Sequence, residues 1–273
     1  MFRKIFSGYT SRIIILNVII FLVALLVGFF IGQDKIIGLL ALKPSSILQG
    51  KSLWTLITSM FMHGGFPHLI FNMISLAFVG TFIERIIGKR RFILFYLLSG
   101  IIAGILFVLL AGFFGSSYLG GRLFGNPDVF GVGASGAIFG LVGLIAILTP
   151  KNKVYLIAGP LIAIILEAIL GNFLSQNIMS VISVLSTIYI FVSIFAMFSF
   201  NPKTRRFALP LEMPFWLLPI IAIVPLVVIG LFVELPIANS AHFGGLLVGL
   251  LYGLYLKIKY PKKTAIISRY FSK

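Results

Sequence analysis

The chain has 273 residues, 60% of them hydrophobic and only 10% charged, with no cysteine. A mean hydropathy of +1.14 excludes an ordinary soluble domain, and the lack of cysteine excludes disulfides, thiolate metal ligands and thiol redox motifs. The net charge of +16 comes from Lys and Arg lying between apolar runs rather than on one continuous basic face, so it reads as membrane-topology signal and implies no nucleic-acid partner.

The first apolar run, Ile13 to Gly32, follows Arg3, Lys4 and Arg12. Its roughly 20 residues suffice to cross a bilayer and no small-residue cleavage site follows, so a retained span is expected rather than a removed signal peptide. Residues 33 to 65 are too interrupted to cross, being broken by Asp34, Lys35, Lys43, Pro44, Gly50, Lys51, Gly64 and Gly65. The second span is predicted over Phe66 to Ile87, the third over Phe92 to Phe114, and a Gly-rich polar loop over Gly115 to Asp128. The fourth starts near Gly133 and ends at Thr149-Pro150; its roughly 17 residues reach about 25 Å, short of a full hydrocarbon core, which puts Ser135 below the membrane surface.

Further runs cover Val154 to Gly171, Ile178 to Phe200 and Pro214 to Val233, and the last covers Ala241 to Lys257. Pro160, Pro219 and Pro225 lie inside these runs and are expected to kink them. Eight spans result, an all-α polytopic transmembrane bundle. With the N-terminus cytoplasmic, all of the 22 Lys and Arg except Lys35, Lys43, Lys51 and Arg122 fall on the inner side, which predicts both termini inside. The Lys-rich C-terminal stretch is expected to lie along anionic lipid headgroups.

Chemistry concentrates at four places. Ser135 stands between Gly133 and Gly136, so its Oγ is reachable and its amide N–H unshielded, as acyl transfer requires; the competing reading is a Gly/Ser packing stretch between membrane helices. His68 and Asn72, four apart, share one helix face and can donate hydrogen bonds to one point. His63 precedes that helix and reads as an interhelical hydrogen-bonding residue. Ionisable side chains in apolar spans are costly and mark function by default; a metal site competes, but no carboxylate or thiol lies near these histidines.

His242 opens a run with glycines at 245, 249 and 253, a stripe that matches Gly136 and Gly140 of the serine span. Were the two stripes to face one another, Ser135 and His242 would meet at hydrogen-bonding distance, and Phe139, one turn after Ser135, would stack on the imidazole without a carboxylate partner.

Through His63, His68 and Asn72 (HxxxxHxxxN), Gly133-Ala134-Ser135-Gly136 (GxSG) and Ala241-His242 followed by Gly245 (AHxxG), the sequence resembles the rhomboid family of intramembrane serine proteases. Trp54, Glu84 and, more loosely, Gly120-Gly121 add to the match, which covers roughly residues 10 to 150 and 236 to 258. The resemblance implies a six-helix core around a water-filled cavity, with residues 33 to 65 as a membrane-embedded loop. It further implies Ser135 as nucleophile, His242 as base, and His68, Asn72 and the Ser135 amide as oxyanion donors. His63, Glu84, Gly133, Gly136, Phe139 and Gly245 are then structural, with no metal and no cofactor.

The implied reaction is hydrolysis of peptide bonds in or near transmembrane helices of other membrane proteins. The implied partners are those substrates and membrane lipid, in a multi-pass protein expected in the plasma membrane. The sequence departs from the family in having Thr55 after Trp54, and three apolar runs where the core has one. Residues 1 to 273 are therefore expected to form a single membrane-embedded domain with two extra spans within 154 to 233. Glu167, in the first of those runs, is expected to be structural. The alternative is a catalytically silent rhomboid-like protein that binds membrane helices, in which loss of the serine or histidine is expected. A transporter is disfavoured by the absence of an inverted repeat.

Overall fold

The computed structural model describes residues 8–171, 173–197, 201–232 and 238–271. Arg3, Lys4 and Lys273, and the predicted run ends at Phe200 and Val233, lie outside the described residues. Each of the eight apolar runs contains a helix. Among the described residues five helices are long and apolar enough to cross a membrane: α1 (Tyr9–Ile31), α5 (Phe66–Ile87), α6 (Lys89–Phe114), α10 (Gln176–Met197) and α13 (Asn239–Lys259). Those formed by α8 (Ser135–Leu148), α9 (Ala158–Leu170) and α12 (Leu218–Phe232) are shorter. The outer faces of the bundle are apolar, with Phe29, Phe30, Phe113 and Ile258 almost bare, as lipid-facing positions require.

The start of α1 is closed from another helix. The buried Glu84 carboxylate on α5 accepts the Tyr9 N–H at 2.8 Å, the Thr10 N–H at 3.0 Å and the Thr10 hydroxyl at 2.7 Å, satisfying donors that a helix start leaves open. Between α1 and α5 the chain folds into α2 (Gln33–Leu40), α3 (Pro44–Leu48), α4 (Thr55–Thr58) and a 3-10 turn at Ser59–Phe61. These short pieces replace a crossing, as the interruptions in residues 33 to 65 predict. They are tied together by the Trp54 indole N–H donating to the Leu39 carbonyl at 2.9 Å and the Thr58 hydroxyl donating to the Leu40 carbonyl at 2.8 Å. The loop after α6 contains α7 (Tyr118–Phe124).

At the centre, α8 packs against α13 backbone to backbone. A Cβ on Gly245 would overlap the Gly136 carbonyl oxygen, and one on Gly249 would overlap the Gly140 carbonyl oxygen and stand 2.8 Å from the Leu144 nitrogen. Helix α6 closes on the same pair, where a Cβ on Gly136 would sit 2.8 Å from that of Ala103. Helix α8 begins at Ser135 rather than Gly133, because Gly133 has φ +123°, outside the helical region. Its 14 residues span about 21 Å at the usual rise.

The stretch after α8 differs from its apolar-run description. Residues 153–157 form strand β1, antiparallel to β2 (Pro210–Pro214), with Lys153 opposite Pro214 and Ile157 opposite Pro210. The ribbon's base is continued by the Phe215 N–H donating to the Asn152 carbonyl at 2.8 Å. Between the strands lie α9, α10, α11 (Pro202–Arg205) and a 3-10 turn at Arg206–Ala208; α9 and α10 pack on one another and on that turn, whereas α12 packs on α7, α8 and α13. Pro160 and Pro219 fall in the first turns of α9 and α12, where the missing N–H has no partner to lose, so they start helices instead of kinking them. Pro225 alone of the three is interior. The chain ends in α14 (Pro261–Phe271), folded back under α8 and α13.

Because the atoms facing Gly249 are backbone, they cannot move aside. Gly249→Ala is expected to cost about 2–3 kcal/mol of stability, whereas Gly38→Ala on α2, with open space around it, should change stability by less than about 1 kcal/mol. Thermal unfolding of the two variants in a neutral detergent reads the difference, and equal melting points would contradict the close-contact packing.

Candidate active site

The loop entering α8 is held from two sides. Leu42 and Gly131 exchange backbone hydrogen bonds at 3.0 and 2.7 Å, and the Gly133 N–H donates to the Ser59 carbonyl at 2.9 Å. Gly133 is required twice over, by its positive φ and because a Cβ there would lie 2.9 Å from both Cε1 and Nε2 of His68. The chain then turns into α8 with Ser135 as its first residue, at a helix end whose N–H groups lack intrahelical acceptors.

His242 lies in the first turn of α13, and its Nε2 is 2.8 Å from Ser135 Oγ. The Phe139 ring stacks on the imidazole with centroids 4.3 Å apart and planes 8° from parallel. Nδ1 of His242 is buried and meets no hydrogen-bond partner among the described residues. Thus two residues 107 positions apart meet at the end of the glycine contact, and an aromatic face lies along the histidine ring.

His68 and Asn72 lie on the first turns of α5 and face the same cavity as Ser135 and His242. His68 Nδ1 accepts the Gly64 N–H at 3.4 Å, which favours the tautomer carrying its proton on Nε2, the nitrogen beside Gly133. One Asn72 amide hydrogen is donated to the His68 carbonyl at 2.9 Å, leaving the second for the cavity. The cavity is about 960 Å³, and its wall also includes Ser59, Ser75, Gly136 and Phe139. His63 is 6% exposed and makes no interhelical hydrogen bond among the described residues; its ring meets that of His68 edge-on at 5.2 Å. Burial, together with repulsion from His68, lowers the His63 pKa to about 4. Gly245 lies under the Gly136 carbonyl, one turn beyond His242.

Several contributors carry no side-chain signature in the sequence. Leu42 and Ser59 act through their backbones, and Ser240, two residues before His242, donates its hydroxyl to the Phe124 carbonyl at 2.7 Å. Lys43 pairs with Asp128 at 3.2 Å, and Ser45 donates to the same carboxylate at 2.8 Å, anchoring the loop ahead of Gly131; opposite charges on two polar loops were the one available hint. Arg122 on α7 donates to the Leu231 carbonyl at 2.9 Å, holding the end of α12. Among the described residues no three His, Asp or Glu side chains converge as a metal site would need.

The Rhomboid domain matches residues 50–188 and 159–259 of this chain. Rhomboid protease GluP of Bacillus subtilis (strain 168) is 34% identical over 145 residues, 53% of this chain and 25% of its own length. YdcA of the same bacterium is 43% identical over 91 residues, 33% of this chain and 39% of its own. RHOMBOID-like protein 4 of Arabidopsis thaliana is 38% identical over 102 residues, 37% of this chain and 22% of its own. The chain thus spans well under half of each of these relatives. The matched region contains the serine, both His-bearing helices and the glycine contact, so that the chain, a multi-pass integral membrane protein, belongs to the rhomboid family.

Proposed function

We propose that this protein is an intramembrane serine endopeptidase that cuts peptide bonds in or near transmembrane helices of other membrane proteins. The observation that carries this reading is the 2.8 Å approach of Ser135 Oγ to His242 Nε2 at the wall of the cavity that His68 and Asn72 also line. With its proton on Nδ1, His242 accepts the Ser135 hydroxyl proton at Nε2 as Oγ attacks the scissile carbonyl. The carbonyl electrons move to the oxygen, which the Ser135 amide, His68 Nε2–H and the free Asn72 amide hydrogen would stabilise. Collapse expels the amine, which takes the proton from His242. Water, deprotonated by the same imidazole, then hydrolyses the acyl-enzyme. Phe139 would keep the imidazole oriented in place of a carboxylate, and the cavity is large enough to admit the water.

In this reading the core fifth helix is α12, which packs on α8 and α13, and the segment between the ribbon strands is an insertion carrying the two extra helices. His63, like Gly133, Gly136 and Gly245, is structural. The Lys and Arg asymmetry supports both termini in the cytoplasm, and the proposed setting is the plasma membrane.

Ser135→Ala should abolish labelling by a fluorophosphonate probe and cleavage of a transmembrane reporter, and His242→Ala should lower cleavage at least about a thousandfold. Asn72→Ala should lower kcat about a hundredfold with little change in KM, as expected for a donor used mainly in the transition state. Cleavage by Ser135→Ala at the wild-type rate would overturn the assignment, and wild-type protein that neither labels nor cleaves would favour a helix-binding rhomboid-like role.

The structural role of His63 has its own test. Its pKa of about 4 lies below the ordinary 6.5, so the unfolded chain takes up the proton first as pH falls. Stability is complete above about pH 6.5 and is lost progressively toward pH 4, by about 3 kcal/mol. Melting curves from pH 8 to 4 should therefore fall more steeply for wild type than for His63→Phe; parallel slopes would refute a buried neutral His63.

A further inference from the structure

The end of the bundle opposite Ser135 holds a second cavity, of about 120 Å³, between the end of α5, the start of α6, the end of α8, and α13 with α14. This is the liquid volume of about four waters, enough for one phosphate group and too small for a whole lipid. Its floor is apolar, from Ile87, Leu148, Leu256 and Ile267, while Arg91 and Lys263 stand at its mouth with exposed side chains. Tyr260 forms part of the wall, with the Lys263 and Lys259 ammonium groups each 5.8 Å from its ring centroid. Lys259 itself donates to the Tyr255 hydroxyl at 2.6 Å and lies outside the cleft, so the two cations at its mouth are Arg91 and Lys263. The carboxylate closest in sequence, Glu84, is already engaged with Tyr9 and Thr10.

Like charges that share one mouth and form no salt bridge among the described residues repel one another, and an anion between them would relieve that cost. The shape of the surrounding surface indicates where that anion comes from. Helix α14 turns Phe271 inward onto Phe82, with centroids 4.7 Å apart, and leaves Ile266 and Tyr270 on the outside, 67% and 74% exposed, with Lys262 and Lys263 in its first turn. An apolar stripe flanked by basic residues is the pattern of a helix lying in the membrane interface. The cleft therefore opens where phospholipid headgroups lie, and its apolar floor suits glycerol and the first acyl carbons better than a fully hydrated ion.

We propose that this cleft binds the headgroup phosphate of an anionic phospholipid, with Arg91 and Lys263 on the phosphate oxygens and α14 as the flap that completes the site. The test uses the full chain in a neutral detergent, titrated with phosphatidylglycerol, phosphatidylcholine or inorganic phosphate and read by native mass spectrometry and melting temperature. Wild type should retain one phosphatidylglycerol in preference to phosphatidylcholine, with a saturable rise in melting temperature, and inorganic phosphate should not reproduce that rise. The double variant Arg91→Gln/Lys263→Gln should bind phosphatidylglycerol about thirtyfold more weakly, while Lys151→Gln/Lys203→Gln, with the same loss of charge elsewhere, should bind as wild type does. Equal weakening in both double variants would reduce the effect to bulk charge and overturn the site, as would retention of phosphatidylcholine equal to that of phosphatidylglycerol. An equal response to inorganic phosphate would reassign the cleft to a soluble anion and overturn the lipid proposal. These readouts need no peptidase activity, so they stand or fall separately from the proposed reaction.

Discussion

The backbone contact between α8 and α13 is the constraint on which the site depends. Within lipid, helices gain little from burying apolar side chains against each other, because lipid tails are equally apolar; association instead follows how closely two backbones fit. Gly136 and Gly140 on one helix and Gly245 and Gly249 on the other permit carbonyl oxygens to lie where Cβ atoms would otherwise stand. Ser135 precedes the first glycine of one stripe by one residue, and His242 precedes the first of the other by three, so the register that seats the glycines also brings Oγ to Nε2. Sliding one helix by a single turn, about 5.4 Å, would separate them beyond any hydrogen bond.

A second set of contacts determines what surrounds the pair. The loop before Ser135 is bonded to Leu42 on one side and to Ser59 on the other, and both partners belong to the folded stretch between α1 and α5. That stretch therefore forms part of the wall of the site as well as a connection between helices. His68 is placed by its own helix but faces Gly133, whose missing side chain leaves room for the imidazole. Among the described residues no carboxylate stands beside His242 Nδ1, which fits this setting, since a charge taken from water at membrane depth carries a large desolvation cost, whereas the flat face of Phe139 restrains the ring at none.

Much of this was legible from residue type and spacing. Polar groups are rare in apolar runs, so Ser135, His68, Asn72 and His242 stand out, and glycines four apart report a helix contact directly. What stayed hidden acts through the backbone. The Leu42–Gly131 bridge and the Gly133–Ser59 bond involve no distinctive side chain. Strand β1 reads Lys-Val-Tyr-Leu-Ile and runs without a break into the apolar residues of α9, and periodicity cannot separate a short apolar strand from the helix that follows. Pro160 and Pro219 were misplaced for the same reason: an apolar run does not reveal where its helix begins, so a first-turn proline and an interior one look alike. His63 makes an edge-on ring contact with His68 where an interhelical hydrogen bond was expected.

The ribbon also explains how a chain can carry α9 to α12 between its serine and histidine helices and still bring them together. Strand β1 leaves the end of α8, and β2 returns beside it, so residue 214 re-enters the bundle opposite residue 153. For the path from α8 to α12, the intervening segment then behaves as one closed loop, whose entropic cost grows only slowly with its length. Pro210 and Pro214 bound β2 and lack the N–H groups with which a strand extends, which keeps the ribbon short. Lys153 and Glu212 pair across it. On this account α9 and α10 attach at the clasp without altering the crossing of α8 and α13, and the geometry at Ser135 does not depend on their length.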